Sequence, residues 1–292
     1  MWRTPFRGAS GEHGVAETSG RKRSILFSLF LLSGLAVFAV SMTFSSLVSE
    51  RTEGTVRVTT CVVFLAAAVT ACHFPRWKPY WLVFFACFTA ALSLLMAWAF
   101  SDYGLRIFSL TTRTPAGIAV AKLSESVLVG FFVLLLMVAA RSDRASVYLQ
   151  LGDLKRGLAI GLSAFSVCSI IGVVQALHHH VGVGRLLTWV PWILIFVLAN
   201  GFMEELLFRG IFLKRLEPLV GALTANVLTA LTFALAHARV AYAKDVLAFV
   251  GITFVLGLVW GYIIQKTDSL IGSWLFHAGA DVLIIVGIFA SL

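Results

Sequence analysis

Long apolar runs, each about twenty residues, repeat along the whole chain and are separated by short segments that carry proline or charged residues. A run of this length crosses the hydrocarbon core of a bilayer as an α-helix. The pattern predicts nine helices, and a count of eight stays open because the third and fourth runs are bounded less sharply. The predicted runs are residues 24–48, 55–74, 80–100, 116–140, 157–177, 188–216, 219–238, 245–264 and 269–290.

The composition supports a membrane protein and excludes several other classes. Of 292 residues, 59% are hydrophobic and 13% are charged, and the mean hydropathy is +0.93. A soluble core could not bury so much apolar surface at this length, and disordered or collagen-like chains have the opposite composition. A β-barrel would alternate apolar and polar residues, whereas these runs are continuous. We predict an all-α fold, a polytopic transmembrane bundle of about eight or nine helices.

The charged segments indicate an orientation and a division of the chain. Residues 1–23 are polar and basic, which predicts a disordered cytoplasmic tail. A charged stretch near 141–156 separates amino-terminal helices, 24–145, from a second part, 146–292. Loops that would share the side of the amino terminus carry more Lys and Arg than the opposite loops, so we predict that this terminus lies inside. The net charge of +9 then indicates contact with anionic lipid rather than with nucleic acid.

Ionisable side chains inside the apolar runs are informative because each costs about 2.5–3.5 kcal/mol to insert. Lys122 and Glu125 lie three residues apart on one predicted helix, and this spacing predicts a structural ion pair. Glu205 and Arg209 have the i, i+4 spacing of a second pair. Glu204 points about 100° away and has no partner on its own helix, which suits a general base. The alternative is that both glutamates only bind neighbouring helices.

The last helices add further polar residues. His277 and Asp281 are four residues apart and share a helix face. His237 alone would more often be a structural histidine. Depths estimated from the rise of about 1.5 Å per residue permit one cluster at mid-bilayer. Its members would be Glu204, His237, His277 and Asp281, braced by Glu205 and Arg209. Such a cluster has the groups that hydrolysis by an activated water requires, whereas no serine or cysteine lies in a recognisable nucleophile motif.

The chain closely resembles the CPBP family, the CAAX-processing and bacteriocin-processing (Abi) intramembrane endopeptidases, in three motifs that occur in order: Glu204-Glu205-x-x-x-Arg209, Phe233-x-x-x-His237 and His277-x-x-x-Asp281. The resemblance covers about residues 150–292. It implies a glutamate-type protease in which Glu204, helped by His237, activates a water while His277 and residue 281 stabilise the oxyanion. The family often has Asn at this last position. Asp281 can donate a hydrogen bond only when protonated; otherwise it would orient His277.

The resemblance favours a site without a metal or other cofactor. Zinc stays an alternative because the side chains of Glu204, His237, His277 and Asp281 are all acceptable ligands, although no HExxH element is present. We expect a membrane-associated protein or peptide as substrate, and a bacterial cytoplasmic membrane as the location. A non-catalytic scaffold or bacteriocin-immunity protein of the same fold is the alternative function. A transporter is disfavoured because neither inverted repeats nor paired broken helices are evident.

Overall fold

The computed structural model describes residues 20–42, 49–240 and 245–292, and within these ranges the chain contains helices and no strands. The α-helices are α1 (Gly20–Met42), α2 (Glu50–His73), α3 (Trp81–Phe100), α4 (Asp102–Ile107), α5 (Pro115–Ala139), α6 (Leu154–His178), α7 (Val183–Glu205), α8 (Leu213–Val220), α9 (Ala222–Ala236), α10 (Val246–Thr267) and α11 (Ile271–Ala290). Shorter helical turns are the 3₁₀ turns Lys78–Tyr80 and Arg144–Val147 and the π-helical turn Leu206–Gly210.

Seven helical segments of the described residues are long and apolar enough to cross a bilayer. They are Glu50–His73, Lys78–Ile107, Pro115–Ala139, Leu154–His178, Val183–Val220, Val246–Thr267 and Ile271–Ala290. The protein is therefore an integral membrane protein, and the predicted all-α transmembrane fold is confirmed. The first predicted run, 24–48, corresponds to α1, and its last residues lie outside the described ranges. Most of the predicted tail, 1–19, also lies outside them, whereas residues 20–23 belong to α1.

The predicted span 219–238 is shorter in the structure than the sequence indicated. The helix α9 has 15 residues, or about 22 Å, which is less than the roughly 30 Å of a bilayer core. It ends at Ala236, so the side chain of the next residue, His237, stands at the end of the helix rather than on its face. The turn before α9 is made by Gly221, whose φ is +89°. Glycine adopts this backbone conformation without a steric penalty.

The predicted helix 188–216 is interrupted at its polar motif. Regular α-helix runs from Val183 to Glu205, the π-helical turn follows, and α8 begins at Leu213. A π turn inserts an extra residue per turn and changes the direction in which the following side chains point. Arg209 lies within this turn.

The starts of four helices are fixed by capping side chains. Ser49, Thr114, Asp153 and Asp245 each accept a hydrogen bond from a backbone N–H of the first turn of α2, α5, α6 and α10, respectively. These caps satisfy backbone donors that the helix leaves without an intrahelical partner. They explain why α2 and α6 begin several residues before the apolar runs 55–74 and 157–177.

The helices pack so that α11 contacts α6 and α7, α5 contacts α3 and α7, and α9 contacts α10 and α1. Glycines permit the close approach of α6 and α11, because a Cβ placed at Gly161 would lie 2.8 Å from the carbonyl oxygen of Gly272. Phe38 of α1 stacks on Phe208 at a centroid distance of 4.0 Å. The two predicted parts, 24–145 and 146–292, thus share a hydrophobic core, and their division stays a prediction.

Polar contacts near the ends of α8 and α10 hold α8 in place. The hydroxyl of Tyr148 donates to Glu217 at 3.3 Å, and Gln265 donates to the same carboxylate at 2.7 Å. Burial, together with the Glu217 carboxylate, raises the pKa of Tyr148, so this hydroxyl keeps its proton and remains a donor. Lys214 pairs with Asp268 at 2.9 Å. These contacts fix α8 against the turn between α10 and α11.

Candidate active site

All six polar residues predicted for the site lie in one buried cluster. Glu204 and Glu205 come from the last turn of α7 and Arg209 from the π turn. His237 follows α9, and His277 and Asp281 share α11. Glu205 and Arg209 have no exposed surface, and every other member is less than one tenth exposed. Groups that are this costly to bury need partners, and the cluster supplies them.

Glu205 is the most heavily bonded carboxylate of the cluster. Its Oε1 accepts from Arg209 Nη1 at 3.0 Å and lies 2.9 Å from His277 Nδ1, and its Oε2 accepts from Ser273 Oγ at 2.6 Å. The predicted Glu205–Arg209 pair is therefore formed. Because an ionised carboxylate only accepts hydrogen bonds, His277 carries its proton on Nδ1 and presents Nε2 to the other side of the ring.

Arg209 joins the π turn to α9 and α10. Its Nη2 donates to the carbonyl oxygen of Gly257 at 3.2 Å. The guanidinium also lies 4.5 Å from the centroid of the Phe233 ring and 5.5 Å from that of Trp260. A Cβ at Gly257 would lie only 2.9 Å from Nη2, so glycine at this position leaves room for the cation.

Glu204 lies between the two imidazoles. Its Oε2 is 3.4 Å from His277 Nε2, and its Oε1 is 3.8 Å from His237 Nε2. Nδ1 of His237 lies 2.8 Å from the carbonyl oxygen of Phe233, which can only accept. His237 therefore also carries its proton on Nδ1 and turns Nε2 towards Glu204. The separation of 3.8 Å is too long for a direct hydrogen bond and fits a contact through one water.

Asp281 has a partner that the sequence analysis did not identify. Asn200 Nδ2 donates to Asp281 Oδ2 at 2.9 Å, and Oδ1 lies 3.7 Å from His277 Nε2. The tautomer of His277 is fixed by Glu205 rather than by Asp281. The aspartate instead stands beside the same Nε2 atom that faces Glu204.

Aromatic rings fix the planes of the imidazoles. The indole of Trp260 stacks on His277 at 3.9 Å with an interplanar angle of 10°. Phe233 contacts both imidazoles, at 4.5 Å from His237 and 5.7 Å from His277. A stacked ring restricts rotation of the histidine, which keeps its Nε2 atom aimed at Glu204.

Three residues of the site were missed by sequence reasoning, and two of them left a usable signal. Asn200 precedes Glu204 by four residues, and Ser273 precedes His277 by four, so each shares a helix face with a predicted site residue. Trp260 gave no comparable signal because its contact with His277 depends on how α10 packs against α11. Outside this cluster, the ion pair predicted between Lys122 and Glu125 is formed, with 2.5 Å between the ammonium nitrogen and the carboxylate oxygen.

The fold and these contacts define a polytopic membrane protein whose helices enclose a carboxylate–imidazole cluster. Residues 186–283 match the family described as type II CAAX prenyl endopeptidase, Rce1-like. This match confirms the resemblance that the three motifs predicted, and it includes all six site residues. It leaves α1 to α6 outside. No curated protein and no solved structure matches the chain.

Proposed function

We propose that the protein is an intramembrane endopeptidase that hydrolyses a peptide bond with a water activated by Glu204 and His237. The observation that carries this proposal is the placement of the Glu204 carboxylate between two imidazole Nε2 atoms, 3.4 and 3.8 Å away. The match of residues 186–283 to a family of endopeptidases supports it independently. The interpretation as a protease thus rests on both geometry and similarity.

The arrangement suits a water as the attacking group. The Glu204 carboxylate and Nε2 of a neutral His237 are both acceptors, and a water molecule between them would donate one hydrogen to each. When the water oxygen attacks the substrate carbonyl carbon, this pair takes up the proton that the water loses. The same proton then passes to the nitrogen of the peptide bond as the C–N bond breaks and the amine leaves.

The oxyanion that forms on the carbonyl oxygen requires hydrogen-bond donors. In this proposal His277 donates from Nε2 in its imidazolium form, which the carboxylate of Glu205 stabilises. Asp281 is held by the amide of Asn200. The sequence permits two roles for Asp281: it donates a hydrogen bond to the oxyanion in its protonated form, or it orients His277. The contact of His277 Nδ1 with Glu205 favours donation, because that contact already orients the ring.

Glu205 and Arg209 act as positioning residues. Neither has exposed surface, and together they connect the end of α7 with α10 and α11. We propose that they hold the two histidines and Glu204 in their relative positions without touching the substrate. No cofactor enters this mechanism, and the zinc alternative is tested below. Among the described residues, no group of three or more His, Cys, Asp and Glu side chains is arranged to hold a metal ion.

The substrate in this proposal is a membrane-associated protein or peptide, since every residue of the cluster except His237 lies in a segment long and apolar enough to span a membrane. The name of the matched family makes peptides with a CAAX carboxyl terminus the first substrates to assay. We further propose that the protein resides in a bacterial cytoplasmic membrane. The distribution of Lys and Arg predicts that its amino terminus lies inside.

The decisive experiment is the Glu204→Gln variant, which keeps the size of the side chain and removes the base. We expect cleavage of membrane-associated substrates to fall by at least about a thousandfold, because removal of an essential group of this kind is not compensated elsewhere. Cleavage is measured by mass spectrometry of substrates incubated with the purified protein in detergent. Glu50→Gln, at an exposed carboxylate on α2, is the matched control and should cleave like the wild type.

Retention of full activity by Glu204→Gln would overturn the proposal. Candidate substrates are membrane proteins that accumulate in a strain from which the gene for this protein has been deleted. If the wild type cleaves none of them, the scaffold or immunity function replaces the proposed protease function. His237→Ala and His277→Ala provide the second test, and both should lose activity while remaining inserted in the membrane.

A further inference from the structure

Glu204 lines a cavity of about 160 Å³ that lies outside the cluster of histidines. Its floor is Met203, Glu204 and the π turn, and its other walls come from α1, α2, α3 and α5. Those walls lie outside residues 186–283, the part that matches the endopeptidase family. The cavity is therefore a feature of this chain's own amino-terminal helices, placed directly against the proposed catalytic base.

Two cationic side chains face this cavity, together with the carboxylates of Glu125 and Glu204. Lys122 reaches it from α5 and Arg57 from α2. Arg57 is 5% exposed, and its guanidinium lies 5.5 Å from the ring centroid of Trp98, which also lines the cavity. Each cation inside the bilayer costs about 2.5–3.5 kcal/mol. An ion pair with only a structural role would offset that cost. Such a role does not explain why both cations face a cavity that is lined by Glu204.

Both cations are held in their charged forms by partners on their own helices. Lys122 Nζ donates to Glu125 at 2.5 Å, and Arg57 donates to Glu53 from Nε at 2.9 Å and from Nη2 at 2.7 Å. An ammonium has three N–H donors, of which Glu125 takes one. Lys122 can therefore keep Glu125 and bind a second carboxylate at the same time.

We propose that Lys122, assisted by Arg57, binds a carboxylate of the peptide substrate, and that this contact sets the position of the cleaved bond. The proposal rests on the proposed endopeptidase function, since it places the carboxylate in the cavity next to Glu204. A carboxylate is the group of a peptide that complements an ammonium and a guanidinium. It can be the free carboxyl terminus or the side chain of Asp or Glu. Lys122 and Arg57 are specificity-determining residues in this arrangement.

Binding of short peptides to the purified full-length protein tests the inference without hydrolysis. The probes are acetyl-Val-Leu-Ser with a free carboxylate, the same peptide as its carboxamide, and acetyl-Val-Leu-Asp carboxamide. Affinities are measured by equilibrium dialysis in detergent. We expect the free acid to bind at least about tenfold more tightly than the first carboxamide, as a charged hydrogen bond would produce. The Asp peptide shows which carboxylate is recognised. If it binds as tightly as the free acid, the cavity accepts any carboxylate; if it binds more weakly, the cavity selects the carboxyl terminus.

Variants connect the preference to Lys122. The preference should disappear in Lys122→Gln, persist in Lys122→Arg, and be unchanged in Lys155→Gln, which removes an exposed lysine of α6. Equal affinity of the wild type for acid and carboxamide, no binding of any probe, or an intact preference in Lys122→Gln would each overturn the inference. The comparison of acid and carboxamide uses the wild type, so it stands even where a variant fails to fold. A negative result leaves the Glu204→Gln test of proteolysis unaffected.

Discussion

The amino-terminal helices and the segment 186–283 both bury charged side chains, but they pair them differently. In α2 and α5 the ion pairs Glu53–Arg57 and Lys122–Glu125 each join residues of the same helix. In the carboxy-terminal segment, Glu205 bonds to Arg209 within its own chain segment and also to Ser273 and His277 of α11. The second arrangement exists only when several elements are in register.

This difference separates ion pairs that form within a single helix from a charged network that forms only when several helices pack together. A pair on one helix offsets the insertion cost locally, whatever its neighbours do. A buried network across helices is weak evidence for stability, because apolar residues of similar volume often replace such networks without loss. Its presence between α7, α10 and α11 is therefore better explained by the role proposed for Glu204, which stands next to it, than by a contribution to stability.

The largest effect is expected from breaking the network at Arg209. In Arg209→Met the Glu205 carboxylate stays fully buried without its cation, and removal of one partner of such a pair costs about 3–5 kcal/mol. We expect both a marked fall in the midpoint of thermal unfolding in detergent and loss of cleavage. Arg209→Lys should recover only part of either, because a lysine cannot reproduce the contacts with Glu205, Gly257 and the two aromatic rings.

The matched variant in the other region is Lys122→Met. The Lys122 and Glu125 side chains are 22% and 31% exposed, so this pair should contribute about 1 kcal/mol or less to stability. Equal destabilisation by Arg209→Met and Lys122→Met would remove the distinction between the two regions.

Contacts within one helix were predictable from the sequence because helix geometry fixes them. The spacing of Glu205 and Arg209 predicted their pair, and the spacing of His277 and Asp281 placed both on one side of α11. The approximate limits of most spans followed from the length of the apolar runs. Capping residues such as Asp153 moved some of the helix starts by a few positions.

Contacts between helices were not predictable, because they depend on crossing points and on departures from regular helix. Asn200 and Asp281 lie 81 residues apart in the chain, and no periodicity indicates their bond. The π turn at Leu206–Gly210 and the early end of α9 at Ala236 change where the side chains point. A regular helix through 188–216 predicts neither the contact of Arg209 with the Gly257 carbonyl nor the stacking of Trp260 on His277.

A smaller effect is expected from the two buried hydroxyls that bridge helices in the two regions. Ser273 donates to the carboxylate of Glu205 at 2.6 Å, whereas Ser126 of α5 donates to the carbonyl oxygen of Ala199 at 2.9 Å. A hydrogen bond to a charged group contributes about 1.5–3 kcal/mol and a neutral one about 1 kcal/mol. Ser273→Ala should therefore slow cleavage about tenfold or more through the misplaced Glu205.

Ser126→Ala should instead lower the thermal midpoint slightly and leave the rate per folded molecule near that of the wild type. The rates are compared at saturating substrate, with the folded fraction determined by size-exclusion chromatography. A similar loss of rate in both variants would mean that any weakened contact to α7 disturbs the site, so that the network around Glu205 has no special role.

The smallest effect, no change at all, is expected from removing metal ions. In the proposed mechanism the proton is moved by Glu204 and His237, and the oxyanion is stabilised by His277 and Asp281, so every step uses a protein group. Treatment with a strong chelator should leave cleavage unchanged, and elemental analysis of the active, treated protein should find no stoichiometric zinc. The control is a known zinc protease treated in the same detergent, which must lose its activity. Loss of cleavage that added zinc restores would transfer water activation to a metal held by these same side chains, because bound zinc lowers the pKa of its water to about 7. The contrast between the two regions would then remain, but the carboxy-terminal network would be a set of metal ligands and their hydrogen-bonding partners.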